Sequence, residues 1–119
     1  MKFDPLDFLI ISKELQNGKS EAHFRSLINR AYYAAFGHIR NNLSISSEGL
    51  SIHWEVISML MNSKSIEQKK AGKKLELLFR TRKECDYKHH IVIRPDQCGY
   101  CIKEAEQIIA LFNQSQLPI

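Results

Sequence analysis

Residues 20–42 read SEAHFRSLINRAYYAAFGHIRNN, and this stretch decides the fold. Phe24, Leu27, Ile28, Ala31, Ala35 and Ile39 fall at offsets 0, 3, 4, 7, 11 and 15, the stripe of an amphipathic helix. Ser20 supplies the side-chain oxygen of an N-cap, so a helix is expected from there to about Asn42.

Helical patterns continue on both sides. Upstream, Asp4 reads as an N-cap with Pro5 at the first helical position. Leu6, Leu9, Ile10, Ile11 and Leu15 cover most of that helix's circumference, and Asn17-Gly18 stops it. Downstream, a polar loop over 41–49 leads to a short helix from about Ile52 to Asn62, with Ile52, Val56, Met59 and Leu60 on one side. Ser65 caps a fourth helix from Ile66 to about Lys88. Its seam of Ala71, Leu75, Leu78, Arg82, Cys85 and His89 has spacings of 4, 3, 4, 3 and 4, so the apolar line turns polar near its end. Ile91-Val92-Ile93 reads as a short extended segment with no strand to pair with. After Arg94-Pro95-Asp96 a last helix points Cys98, Cys101, Ala105, Ile108 and Phe112 inward. The expected fold is a single all-α domain over 1–119, an antiparallel four-helix bundle plus one short helix, with helices two and four at its centre.

Composition agrees. Only 5 Gly and 3 Pro in 119 residues are too few to punctuate a sandwich or barrel of many short strands. No apolar stretch approaches the ~20 residues that span a bilayer. Met1 to Pro5 lacks the apolar run of an export signal, which points to a cytoplasmic protein with three free thiols. Net charge is +4, unevenly spread. Residues 64–94 hold ten Lys or Arg against four acids, a net +6, leaving −2 for the rest. A basic segment in a near-neutral domain suits a polyanion, RNA or a nucleotide before a membrane, or else is a solvated helix face.

Two stretches carry candidate chemistry. In Arg30-Ala31-Tyr32-Tyr33-Ala34-Ala35-Phe36, the alanines admit a close helix neighbour, while Arg30, Tyr33 and Arg40 share a face. In Arg80 to His90, Arg82 and Asp86 are spaced to pair. Arg82 and His89 would project together about 10 Å apart along a helix axis. A permanent cation can neutralise a scissile phosphate, and a histidine titrating near neutrality can move the ribose 2′-hydroxyl proton. That is a minimal metal-independent ribonuclease set; the bland reading is an ion pair followed by a frayed terminus.

The run Arg30 to Phe36, then Arg40, His53 and Arg82-x-x-x-Asp86-Tyr87, resembles the HEPN family (higher eukaryotes and prokaryotes nucleotide-binding domains), in particular its small stand-alone prokaryotic members. The resemblance covers residues 20–112. It implies an all-α bundle that forms a homodimer, a minimal nucleotidyltransferase as antitoxin partner, and in many members a ribonuclease built on Arg-x(4–6)-His. Arg82 and His89 have six residues between them. The carried-over site is Arg82 and His89 as catalytic pair, with Asp86, Tyr87, Arg30, Tyr33, Arg40 and His53 as accessory or binding residues. Two positions depart from the family pattern: Tyr87 precedes His89, and Gly37 stands where many relatives place a histidine.

Other features point elsewhere with less force. Cys98 and Cys101 have redox spacing but extend an apolar stripe, which suits packing. Zinc held by His89 or His90 with these cysteines fits no common ligand spacing. Trp54 is suited to stacking a base or to packing. No phosphate-cradling glycine loop or paired-carboxylate metal site is present, which disfavours kinases, NTPases and metal nucleases, and no cofactor is called for. Two functions follow: a metal-independent ribonuclease toxin of a toxin–antitoxin or defence system, or a non-catalytic nucleotide- or partner-binding module.

Overall fold

A computed structural model describes residues 3–45, 49 and 51–117. It contains α1 (Asp7–Leu15), α2 (Glu21–Asn42), α3 (Ile52–Met61), α4 (Ile66–Tyr87) and α5 (Pro95–Ser115), with no strand among the described residues. The all-α bundle stands, but with three long helices and two short ones. None is long and apolar enough to cross a membrane. Residues 46–48 of the expected polar loop, and Met1 and Lys2, lie outside the described residues.

α2 packs against every other helix, and α4 packs against α2, α3 and α5. Contact on several sides explains why α2 buries Leu27, Ile28, Ala31, Tyr32, Ala34, Ala35, Phe36 and Ile39, more of its circumference than one stripe. The Ser20 hydroxyl accepts from the His23 N–H at 3.2 Å, and Ser65 does the same for Gln68 at 3.2 Å. In α5, Pro95 occupies the first turn and the Gln97 side chain accepts from the Arg94 N–H at 2.8 Å. Cys98, Cys101, Ala105, Ile108 and Phe112 face inward as expected, joined by Ile102.

α1 is shorter than expected because both its ends wind tighter. Asp4 caps the opening turn, accepting from Leu6 N–H at 3.0 Å, and the carbonyls of Asp4, Pro5 and Leu6 each bond three residues on. Ile10 and Ile11 are exposed, contrary to an apolar circumference. The buried residue is Ser12, whose hydroxyl donates to the Leu27 carbonyl at 2.9 Å. Met59, expected inward on α3, is also exposed, and Ile57 is buried instead.

Two glycines permit close approaches. A Cβ on Gly72 would lie 2.9 Å from Leu60 Cβ and 3.2 Å from the Met61 backbone nitrogen, so α4 touches α3 there. A Cβ on Gly37 would lie 2.7 Å from Pro5 Cβ. The N-terminal turn needs this space, which leaves no room for the histidine that the resemblance would place here.

The 88–94 connection is held by charges on α2. Arg25 donates to the carbonyls of Cys85 (2.7 Å), Lys88 (3.3 Å) and Ile91. Glu21 accepts from the Ile93 N–H at 2.7 Å. Ile91-Val92-Ile93 is therefore a strapped loop, with Ile93 buried and Val92 exposed.

Gly72→Ala should destabilise the fold by about 1–3 kcal/mol through overpacking. Gly99→Ala, with nothing within 4 Å of its Cβ, should be neutral or stabilising by up to ~1 kcal/mol. Urea unfolding of both variants measures this, and a Gly72→Ala midpoint equal to wild type would contradict the close contact.

Candidate functional site

A cavity of about 410 Å³ opens between α2, α3 and α4. α2 contributes Tyr33, and α3 contributes the adjacent pair His53 and Trp54. Phe79, Arg82, Lys83 and Tyr87 come from one face of α4, at helical spacings of 3, 4 and 8 from the first. Aromatic rings and two cations thus enclose one space.

Arg82 is its charged floor. Only 7% of the residue is exposed, and its guanidinium carbon lies 5.4 Å from the ring centroids of Tyr32 and Tyr33 and 5.3 Å from that of Phe79. Such cation–ring contacts stabilise by ~0.5–2 kcal/mol each when desolvated. Nη1 donates to Asp86 Oδ2 at 3.0 Å, and Asn29 Nδ2 donates to the same oxygen at 3.2 Å. Nε is buried with no hydrogen-bond partner. Burial opposes the charge, but the Asp86 bond and surrounding charge outweigh it, and the pKa is raised.

His53 is sandwiched between Phe36 (centroids 4.5 Å apart, 29° between planes) and Phe79 (4.9 Å, 16°). Its Nδ1 lies 2.6 Å from the hydroxyl of the fully buried Tyr32. Burial, then the charges of Arg82, Arg40 and Lys83, hold the His53 pKa down to about 4. Burial raises the Tyr32 phenol far above its ordinary value, against the pull of Arg82. At neutral pH both groups are uncharged.

At the rim, Trp54 is 42% exposed and meets Phe79 edge-on at 5.3 Å. Lys83 Nζ stands 5.3 Å from the Phe79 centroid. Lys83 and Tyr87 also line a neighbouring groove of about 370 Å³ with Arg80, Glu84 and Lys88. Four of the ten basic residues of 64–94, Arg80, Arg82, Lys83 and Lys88, thus line the cavity or this groove.

Of the residues read from the sequence, Arg82, Tyr33, His53 and Tyr87 line this cavity, and Asp86 orients Arg82. Arg40 acts on His53 through its charge while its Nε donates to the Ile45 carbonyl at 3.4 Å. Arg30 diverges: it lies over the Phe8 ring at 5.2 Å and lines a separate hollow with Arg25, Ser26, Asn29 and Asp86. His89 is not on the α4 seam. The helix ends at Tyr87, Lys88 leaves helical geometry at ψ 82°, and the exposed His89 ring places Nε2 3.2 Å from the Asp86 carbonyl. Arg25 satisfies this helix end: in a continuing helix the Cys85 carbonyl would accept from the residue 89 N–H, and here it accepts from Arg25.

Sequence reading missed Arg25, Asn29, Phe79 and Lys83. Lys83 was one charge in a basic run, and Arg25 carries no local signal because its acceptors lie 60–66 residues away. Cys85, Cys98 and Cys101 are free and buried, far from thiolate chemistry. Burial pushes the Cys85 thiol up to about 11 and Cys101 to about 12. His89 and His90 are exposed, and no group of three or more His, Cys, Asp or Glu converges among the described residues.

Compared with known proteins, the chain matches no family model, no curated protein and no solved structure.

His53 makes stability depend on pH with a definite sign. Its folded pKa, about 4, lies below the ordinary 6.5, so between these values the unfolded chain binds the extra proton. Stability should fall as pH drops from 6.5, and His53→Gln should flatten that slope. Thermal melts between pH 7.5 and 5 test it; parallel slopes in both proteins would show that the His53 proton does not couple to folding.

Proposed function

We propose that this chain is a HEPN-type helical module that binds RNA or a nucleotide, without cutting it, in the Arg82 cavity. One observation carries the reading: the guanidinium of a nine-tenths-buried arginine, enclosed by aromatic rings, lines an open cavity. A largely buried cation at the cavity wall suits a phosphate oxygen, since charge-assisted bonds of this kind are the strong ones. Lys83 adds a second charge, and the exposed rings of Trp54 and Tyr87 offer faces on which a base can stack. The groove along Arg80, Lys83 and Lys88 extends the positive track past the cavity, as a strand longer than one nucleotide requires. The family resemblance adds a second copy of the chain and a minimal nucleotidyltransferase as protein partners, in a cytoplasmic toxin–antitoxin or defence setting.

Cleavage has less support. It asks Arg82 and His89 to face one scissile bond, and these two side chains belong to different surroundings. His53 shares the cavity with Arg82, yet a histidine held neutral down to about pH 4 is a weak base at neutrality.

Trp54 is the single tryptophan, so its fluorescence reports on the cavity directly. Titration with a short single-stranded RNA should quench it saturably. Trp54→Ala should weaken binding, read by gel shift, by the ~1–3 kcal/mol typical of base stacking. Lys83→Ala should weaken it and reduce the salt slope by ~0.7. Unchanged fluorescence together with no retention at low salt would sink the reading. RNA cleavage in chelator to 2′,3′-cyclic phosphate ends, lost in both Arg82→Ala and His89→Ala, would replace it with the ribonuclease.

A further inference from the structure

The Tyr32–His53 contact has only one satisfactory arrangement of protons. Tyr32 is fully buried, and among the described residues its hydroxyl has one partner, His53 Nδ1 at 2.6 Å. A phenol carries one hydrogen, which needs an acceptor. If Nδ1 bore the imidazole hydrogen and donated to the phenol oxygen, the phenol hydrogen would be buried with no acceptor. Leaving a buried donor unsatisfied costs ~1–3 kcal/mol. In the reverse arrangement the phenol donates to a bare Nδ1 and both groups are satisfied. A neutral imidazole then carries its hydrogen on Nε2.

We propose that Tyr32 fixes His53 in the Nε2–H tautomer, and that this N–H is a specificity-determining donor to a ligand phosphate oxygen held by Arg82. The proposal rests on the binding function above and deepens it. With Nδ1 tied to a buried hydroxyl, the far edge of the ring is the one left to reach the cavity that His53 lines. The sandwich between Phe36 and Phe79 fixes the ring plane, so the donor direction is set before any ligand arrives.

Three donors of different character then line one space: the guanidinium of Arg82, the ammonium of Lys83 and a neutral imidazole N–H. Burial, and then the positive charge of Arg82 and Lys83 from α4 and Arg40 from α2, keep the imidazole from adding a further cation. A neutral donor supplies a directional bond to an anion without titrating near neutrality. The ligand class is therefore a phosphate ester, recognised by hydrogen bonds and charge with no proton exchanged.

The tautomer is read on the ligand-free protein by long-range proton–nitrogen correlation of ¹⁵N-labelled chain at pH 7. The expected pattern is a protonated Nε2 and a bare Nδ1 on His53; hydrogen on Nδ1 would overturn the proposal. Adenosine 5′-monophosphate is the ligand probe, with adenosine as its phosphate-free counterpart. His53→Phe keeps a ring between Phe36 and Phe79 but removes the N–H. It should weaken monophosphate binding about tenfold or more, the effect of one bond to a charged group, and weaken adenosine binding less. Tyr32→Phe keeps every ring stack, should spread the hydrogen over both nitrogens, and should lower monophosphate affinity less. Wild-type binding matched by both variants would overturn this proposal while leaving the binding function standing. Wild type that binds neither the monophosphate nor RNA would overturn both.

Discussion

Arg82 is a permanent charge held almost entirely out of water, and the structure around it is arranged by that fact. An unpaired buried ion costs several kcal/mol even after the protein relaxes. Here Asp86 supplies a carboxylate at 3.0 Å, Asn29 holds that carboxylate from α2, and three ring faces surround the guanidinium. These contacts come from both α2 and α4, so the charge also fixes how the two helices sit against each other. Replacing the cluster with well-packed apolar residues would often stabilise such a core.

The same charge shapes its neighbours. Tyr33 and Tyr32 offer the cation their rings, and only Tyr32 is sealed from solvent. Its hydroxyl then needs a partner inside the protein, and α3 delivers His53 to it. Because burial, and then the charges of Arg82, Arg40 and Lys83, disfavour a further positive charge, that histidine stays neutral. The aromatic run on α2 thus serves packing and site together: Tyr32 stacks on Phe36 at 5.6 Å, and both rings touch His53.

What could be read from the sequence was what neighbouring residues decide. The α2 stripe, the Ser20 and Ser65 caps and the inward face of α5 depend on contacts within a few residues, and each appears as expected. The Arg82–Asp86 pair is likewise one helical turn. Gly37 and Gly72 could not be read, because their importance comes from Pro5 and from Leu60 and Met61 on other elements. The end of α4 could not be read either. No glycine or proline marks Lys88, and the carbonyl that the next turn would use accepts instead from an arginine 60 residues upstream. The expected pairing of Arg82 with His89 depended on that next turn. Arg30 and Arg40 share a face of α2 with Tyr33 in projection, but Phe8 draws one away while the other stays near His53.

The two histidines therefore divide the candidate chemistry between them. His89 is exposed, on a loop strapped down by Arg25 and away from Arg82. His53 sits beside the charge that would hold a phosphate, but its Nδ1 is occupied by a buried phenol and its environment keeps it neutral. A nuclease needs one group with both properties, close to the phosphate and able to accept a proton there. The helix end that separates His89 from Arg82 is fixed by Arg25, and the tyrosine that restrains His53 is fixed by the core. Both restraints come from the fold itself, and together they favour a cleft that holds a phosphate over one that breaks its ester bond.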